Sequence, residues 1–175
     1  MKTCMFFAAA ALAALGFAGC SENPSAERPA ASSPDAAKAE FLLASEPAGA
    51  KGVAEFRRTA ADDEQVVVVG RVGGDTNPWV EGAAAFLITD MSLKPCSERE
   101  GDNCPTPWDY CCDLGVLKDS KEMVKVVDEQ GDLVRTDAKE LLGVKELDTV
   151  VVRGRTQKDD AGNVTVLAEG VFKRT

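Results

Sequence analysis

From residue 64 onward the chain is written in short bursts of β-branched and apolar residues, separated by acidic, glycine- and proline-bearing turns. In EQVVVVGRVGG (64–74), a period of two places Val66, Val68, Gly70 and Val72 on one face and Val67, Val69 and Arg71 on the other. That run, closed by glycines, predicts a strand. AAAFLIT (83–89) and EMVKVV (122–127) predict a second and a third. DEQGD (128–132) is a turn signal, so Leu133 to Arg135 is expected to fold back on the third strand as a hairpin. TVVVRGR (149–155) predicts the fourth strand and NVTVLAEGVFKR (163–174) the fifth, after the turn DDAGN. Two segments carry a helical spacing instead. In AKGVAEFRRTA (50–60), Val53, Phe56 and Ala60 form a narrow apolar stripe. In TDAKELLG (136–143), Asp137 and Glu140 have capping-box spacing and Gly143 sits where the helix should stop.

Five strands, with a short helix between the third and fourth, resemble the OB-fold over roughly residues 64 to 173. The resemblance rests on element order and strand texture. It implies an all-β domain with short helices: a small closed five-stranded OB-like barrel, with a Cys-rich loop inserted between strands 2 and 3; a sandwich or another open antiparallel sheet is the alternative. Gly70 and Gly154 each interrupt a valine-rich strand, which suits the bending a small barrel demands. The first and fourth strands of such a barrel are neighbours, so Arg71, Arg153 and Arg155 are expected to gather on one outer wall, as ordinary polar outward positions or, alternatively, as a contact for an anionic ligand or acidic partner. OB-folds bind oligonucleotides and oligosaccharides, and the resemblance implies that class of ligand. Trp79, in NPWVEG, is expected to fold its ring over one end of the barrel.

The first twenty residues, MKTCMFFAAAALAALGFAGC, have a different texture. A basic start at Lys2 leads into an apolar run from Met5 to Ala18, short for a bilayer-spanning helix, that reads as an export signal. Its exit, Phe17-Ala18-Gly19-Cys20, resembles a bacterial lipobox, with Phe17 in place of the usual leucine. The resemblance implies cleavage after residue 19 and acylation of Cys20, palmitate among the chains, which would tie the protein to the outer or periplasmic side of a membrane in the cell envelope. Residues 20–40 are rich in Ser, Pro and Ala and read as a disordered tether, leaving 41–175 as one domain.

Charge narrows the partners. The chain has a formal net charge of −9, and loss of Lys2 with the leader leaves 19 basic against 29 acidic side chains. That balance opposes phosphate-backbone binding, so a module that scaffolds or binds a protein, peptide or glycan partner is expected rather than one that binds nucleic acid. There is no histidine. The usual general base and the Ser-His-Asp arrangement are therefore missing, no phosphate-cradling glycine loop appears, and catalysis is not expected.

Candidate chemistry concentrates in the insert, residues 90–119, where CSEREGDNCPTPWDYCC (96–112) holds four of the six cysteines. Four prolines and glycines (Pro95, Gly101, Pro105, Pro107) deny it regular structure, so a loop this long needs fastening. In an exported protein the expectation is two disulfides, Cys96 and Cys104 each bridging to one of Cys111 and Cys112. The alternatives are zinc or an iron–sulfur centre on Cys96, Cys104, Cys111 and Cys112, although no Cys-x2-Cys element is present, and redox-active or free thiols. No cofactor is expected on the first reading. A thioredoxin-like site lacks its spacing and its basic neighbours, and the scattered carboxylates lack the EF-hand pattern. Trp108 and Tyr110 flank the cysteines; they either pack as a miniature core or present an aromatic contact to a partner.

Overall fold

The computed structural model describes residues 34–175. In chain order they form α1 (Pro34–Phe41), β1 (Lys51–Gly52), α2 (Val53–Thr59), β2 (Gln65–Val72), β3 (Trp79–Val80), β4 (Ala85–Thr89), α3 (Leu114–Leu117), β5 (Lys121–Val126), α4 (Ala138–Leu142), β6 (Thr149–Lys158) and β7 (Val164–Lys173). Short 3-10 turns at Cys96–Glu98 and Cys111–Asp113 lie in the loop between β4 and β5.

Five of these strands close a ring. β2 pairs antiparallel with β4 and with β6, β4 with β5, and β6 with β7, while β5 and β7 run parallel and complete the circuit. This is the small, mixed, OB-fold-like barrel that the strand order implied. Closure gives each of the five strands a partner on both sides, although β2 meets β4 only at Arg71 and Val72, which leaves it an edge before them. β1 adds to β2 in parallel and β3 adds to β4 antiparallel, both as two-residue extensions.

Period-two alternation is realised along β2, where Val66, Val68, Gly70 and Val72 are buried and Gln65 is exposed. The same inward face on the other strands supplies Phe86, Ile88, Val124, Val126, Val150, Val152, Val166, Ala168 and Val171, all at 0 % exposure. Val53 and Phe56 from α2, and Leu141 and Leu142 from α4, join this core. Interior strand glycines are set by crowding. A side chain at Gly70 would press on Ile88, Val53 and the Thr89 carbonyl, and one at Gly154 would overlap the Leu167 carbonyl of β7. At that second point the β6–β7 register shifts between Arg153 and Gly154, a bulge that lets the long strand bend around the barrel.

Polar side chains fix the helices to the barrel. Asp90, at the exit of β4, accepts the Ala54 N–H of α2 at 2.8 Å. Arg57 of α2 reaches Glu122 of β5 at 2.7 Å, and that carboxylate is almost fully buried. Burial raises the Glu122 pKa, only partly offset by the Met123 N–H and Arg57.

Local expectations were met unevenly. Gly143 ends α4 with φ of +63°, the left-handed cap its position announced. Asp137 does not cap that helix with its side chain; its Oδ1 instead accepts the Gly82 N–H at 2.8 Å. The expected hairpin after β5 contracts to a single Val127–Leu133 bridge, because Asp128 folds the turn onto itself by accepting the Gln130 and Asp132 N–H groups. α1 occupies the last part of the stretch read as tether. The leader, Cys20 and most of that tether lie outside the described residues. Among the described residues no helix is long and apolar enough to cross a membrane.

Candidate metal centre

The insert between β4 and β5 begins and ends at one place. Asp90 donates its N–H to the Ser120 carbonyl at 2.8 Å, directly beyond the Thr89–Lys121 pair that closes the hairpin. Inside the loop two arms run side by side: Cys96 N–H bonds the Asp109 carbonyl at 2.9 Å, and Ser97 N–H bonds the Pro107 carbonyl at 3.0 Å. This pairing carries Cys96 alongside the approach to Cys111, which begins the second 3-10 turn. Cys104 lies on the bend between the arms.

Tyr110 anchors the assembly. Its side chain is 0 % exposed, and the neighbouring Trp108 carbonyl accepts the Gly74 N–H at 3.2 Å. Gly73, at φ of +151°, passes so close that any side chain there would collide with the Trp108 carbonyl. Trp108 is half-buried and donates its indole N–H to the Thr76 carbonyl at 3.2 Å. Two ion pairs complete the fastening: Arg71 of β2 with Glu98 at 2.8 Å, and Arg99 with Asp113 across the two arms. Tyr110 is thus a buried packing residue and not a surface contact.

These constraints bring three sulfurs together. The Sγ atoms of Cys96, Cys104 and Cys111 all lie within 4.8 Å of one another, with Cys96 buried, Cys104 half-buried and Cys111 exposed. The expectation of two disulfides is overturned. Cys96, Cys104, Cys111 and Cys112 are free thiols, and the Cys96–Cys111 Sγ separation is 3.5 Å, against about 2.05 Å for a bonded pair. Cys112 stands outside the group, since side chains of adjacent residues leave the backbone in different directions. Hydrogen bonds, two ion pairs and the buried tyrosine supply the fastening that covalent bridges were expected to give.

The sulfur spacing is that of a ligand set. Thiolates around a tetrahedral zinc at 2.3 Å stand about 3.8 Å apart, and the observed separations, from 3.5 Å upward and none beyond 4.8 Å, span that value. The three thiols are electrostatically unequal. A hydrogen bond from Thr106, whose Oγ1 is 3.3 Å from Cys104 Sγ, holds the Cys104 pKa below the usual thiol value. Burial pushes Cys96 up. Cys111 is pushed up to about 12, by its hydrogen bond with Cys96 first and then by burial and neighbouring sulfur charge. Like charges this close disfavour one another, and a bound cation removes that penalty.

Among the described residues this triad is the group of cysteines and carboxylates that converges on a common point; the carboxylates of the loop do not. Nor do the three arginines gather. Arg155 lies opposite Gln65 and pairs with Asp63 at 2.8 Å, Arg153 lies opposite Val67, and Arg71 lies opposite Thr149 at the far end of β2. Two of the three are paired with carboxylates, so among the described residues these arginines form no concentrated basic patch. Trp79 packs against Phe86 with ring centroids 5.9 Å apart and donates its indole N–H to Glu146 at 2.7 Å.

The selection of Cys111 over Cys112, and the part of Thr106, were missed in the sequence. The seven- and six-residue spacings carry no ligand signature, and only the adjacency of Cys111 and Cys112 hinted that one of them would be left out.

No protein-family model matches this chain, and no curated protein matches it. Among solved structures, that of the hypothetical protein ygiW from E. coli is similar with a TM-score of 0.39 and 17 % identity, over 73 % of this chain and 94 % of that one.

Proposed function

We propose that this protein is a binding domain that captures a thiophilic metal or metalloid ion through Cys96, Cys104 and Cys111, with the barrel as a rigid support and without catalysis of its own. The convergence of three thiols within 4.8 Å carries this reading. Soft thiolate donors select soft ions, and the absence of histidine leaves the set purely sulfur. An exposed Cys111 beside a buried Cys96 favours entry and exit of the ion from the solvent side.

The address rests on the N-terminal segment. The apolar leader and the lipobox-like Phe17–Cys20 sequence support a domain held at the cell envelope by acyl chains on Cys20, with the ion site facing outside the cytosol.

Titration of the reduced protein with Cd2+, followed by the ultraviolet cadmium–thiolate absorption, tests the site. One ion per chain should bind, Cys104→Ser and Cys111→Ser should each weaken binding at least tenfold, and Cys112→Ser should leave it unchanged. Equal losses for Cys112→Ser and Cys111→Ser would reject the triad.

A further inference from the structure

We infer that the ligand of the triad is a trivalent, three-coordinate thiophilic oxyacid of the arsenous or antimonous class, bound as a neutral tris-thiolate adduct. The inference rests on the proposed thiol triad acting as one ligand set, and adds the class of ligand it takes.

The first support is donor number. The converging set stops at three sulfurs, with no fourth cysteine and no carboxylate among the described residues. Structural zinc and four-thiolate iron–sulfur centres require four protein donors. A trivalent centre with a lone pair needs three, arranged as a pyramid whose angles are narrower than tetrahedral. The separations, from 3.5 Å upward and none beyond 4.8 Å, accommodate such a pyramid as they do a tetrahedral ion, so the number of donors and the charge decide between them.

The second support is charge. Residues 90–119 carry seven carboxylates and three basic groups. The two arginines at the base of the loop are engaged with carboxylates, Arg71 with Glu98 and Arg99 with Asp113. Three thiolates on a monovalent ion leave a double negative charge, and on a divalent ion a single one. Carboxylates would draw either cation toward the loop, but they oppose the anionic complex it would form there, and seven of them outnumber the loop's three basic groups, Lys94, Arg99 and Lys118. Three thiolates on a trivalent centre leave none.

The step balances without an oxidant. Three As–O bonds of As(OH)3 and three S–H bonds break, three As–S bonds form, and three water molecules leave. Arsenic remains trivalent, and no proton is released to solvent. Open access at Cys111 lets the first sulfur exchange begin from water, and buried Cys96 completes the closure.

The test is titration of the full, freshly reduced chain with sodium arsenite, read by native mass spectrometry, beside parallel titrations with Cd2+ and Zn2+. The expected result is a mass increment of one arsenic less three hydrogens. Occupancy should fall at least tenfold in Cys104→Ser and in Cys111→Ser, both at accessible positions where folding is readily verified, and stay unchanged in Cys112→Ser. Cadmium binding to the triad with no arsenite adduct would overturn this inference and leave the metal-binding reading standing. Failure of both probes would sink the two together. An adduct lost in Cys112→Ser but kept in Cys104→Ser would also overturn it, because the adjacent pair would then be the site.

Discussion

Tyr110 buries its whole ring yet leaves its hydroxyl without a hydrogen-bond partner among the described residues, which isolates two parts of its contribution. The ring fills space between the insert and the β2 exit, so Tyr110→Ala should cost about 3–5 kcal/mol, as large aromatic truncations do. It should also weaken ion binding, because the arm leading to Cys111 loses its anchor. Tyr110→Phe removes only an unsatisfied polar atom and should be neutral or stabilising by up to about 1 kcal/mol. Urea unfolding of both variants measures the two parts; a Phe variant as unstable as the Ala variant would refute this division. Acidic side chains give a second residue-scale expectation. Glu122 has a raised native pKa, from burial, so its contribution is most favourable below about pH 4.3, the unfolded value, and declines as pH rises through the native one. Asp90 is the reverse. Burial works against its charge, but N–H groups of Ala54 and Ser92 and the charge of Arg58 outweigh it, so its contribution is lost as pH falls. Glu122→Gln should therefore gain stability relative to the parent as pH is taken from about 4 to about 7, whatever the offset from losing Arg57. Unfolding midpoints across that range provide the check.

At the scale of elements, the barrel was largely legible and the site was not. Valine-rich strands announce themselves by period two, and Gly70 and Gly154 were recognisable because a glycine inside such a strand needs a steric reason. The reason is visible in Gly154, whose missing side chain admits the Leu167 carbonyl at the β6–β7 bulge. Gly154→Ala should thus destabilise by about 2–3 kcal/mol or more through forced separation of two central strands, read as a lowered melting temperature with an intact β-sheet spectrum. β1 and β3 carried no signal, since two residues are too few to show a period and exist only because β2 and β4 offer edges. Asp137 misled for a related reason: its carboxylate had a tertiary donor, Gly82, that outcompeted the local cap. The cysteines were illegible in a deeper sense. Whether two sulfurs bond or share an ion depends on angstrom-scale separations set by Tyr110, the Asp109 and Pro107 carbonyls and two ion pairs, none of which is encoded in cysteine spacing.

For the whole molecule, ligand binding and stability are linked. The triad joins segments from both arms of one loop, so an ion that binds only the folded arrangement adds about 2.7 kcal/mol at a hundredfold excess over its dissociation constant. For a domain of this size that corresponds to a rise on the order of 5–10 °C in melting temperature, absent in Cys104→Ser. The same acidic balance that frames the site argues against polyanions. An oligonucleotide titration near physiological salt should give no saturable complex, and Arg153→Ala should change nothing in it; tight, salt-sensitive binding would revive the ligand class usual for this fold.

The bond from Asp90 to Ser120 has a consequence for engineering. A thiol-bearing segment whose two ends already meet, across a strand pair in register, is a cassette: its host needs a β-hairpin with Thr89- and Lys121-like neighbours and an adjacent strand that offers the glycine seat and an arginine for Glu98. Grafted onto another sheet with its glycine-lined seat for the tyrosine, it should carry its sulfur chemistry along, and the excised barrel should close the gap with an ordinary tight turn.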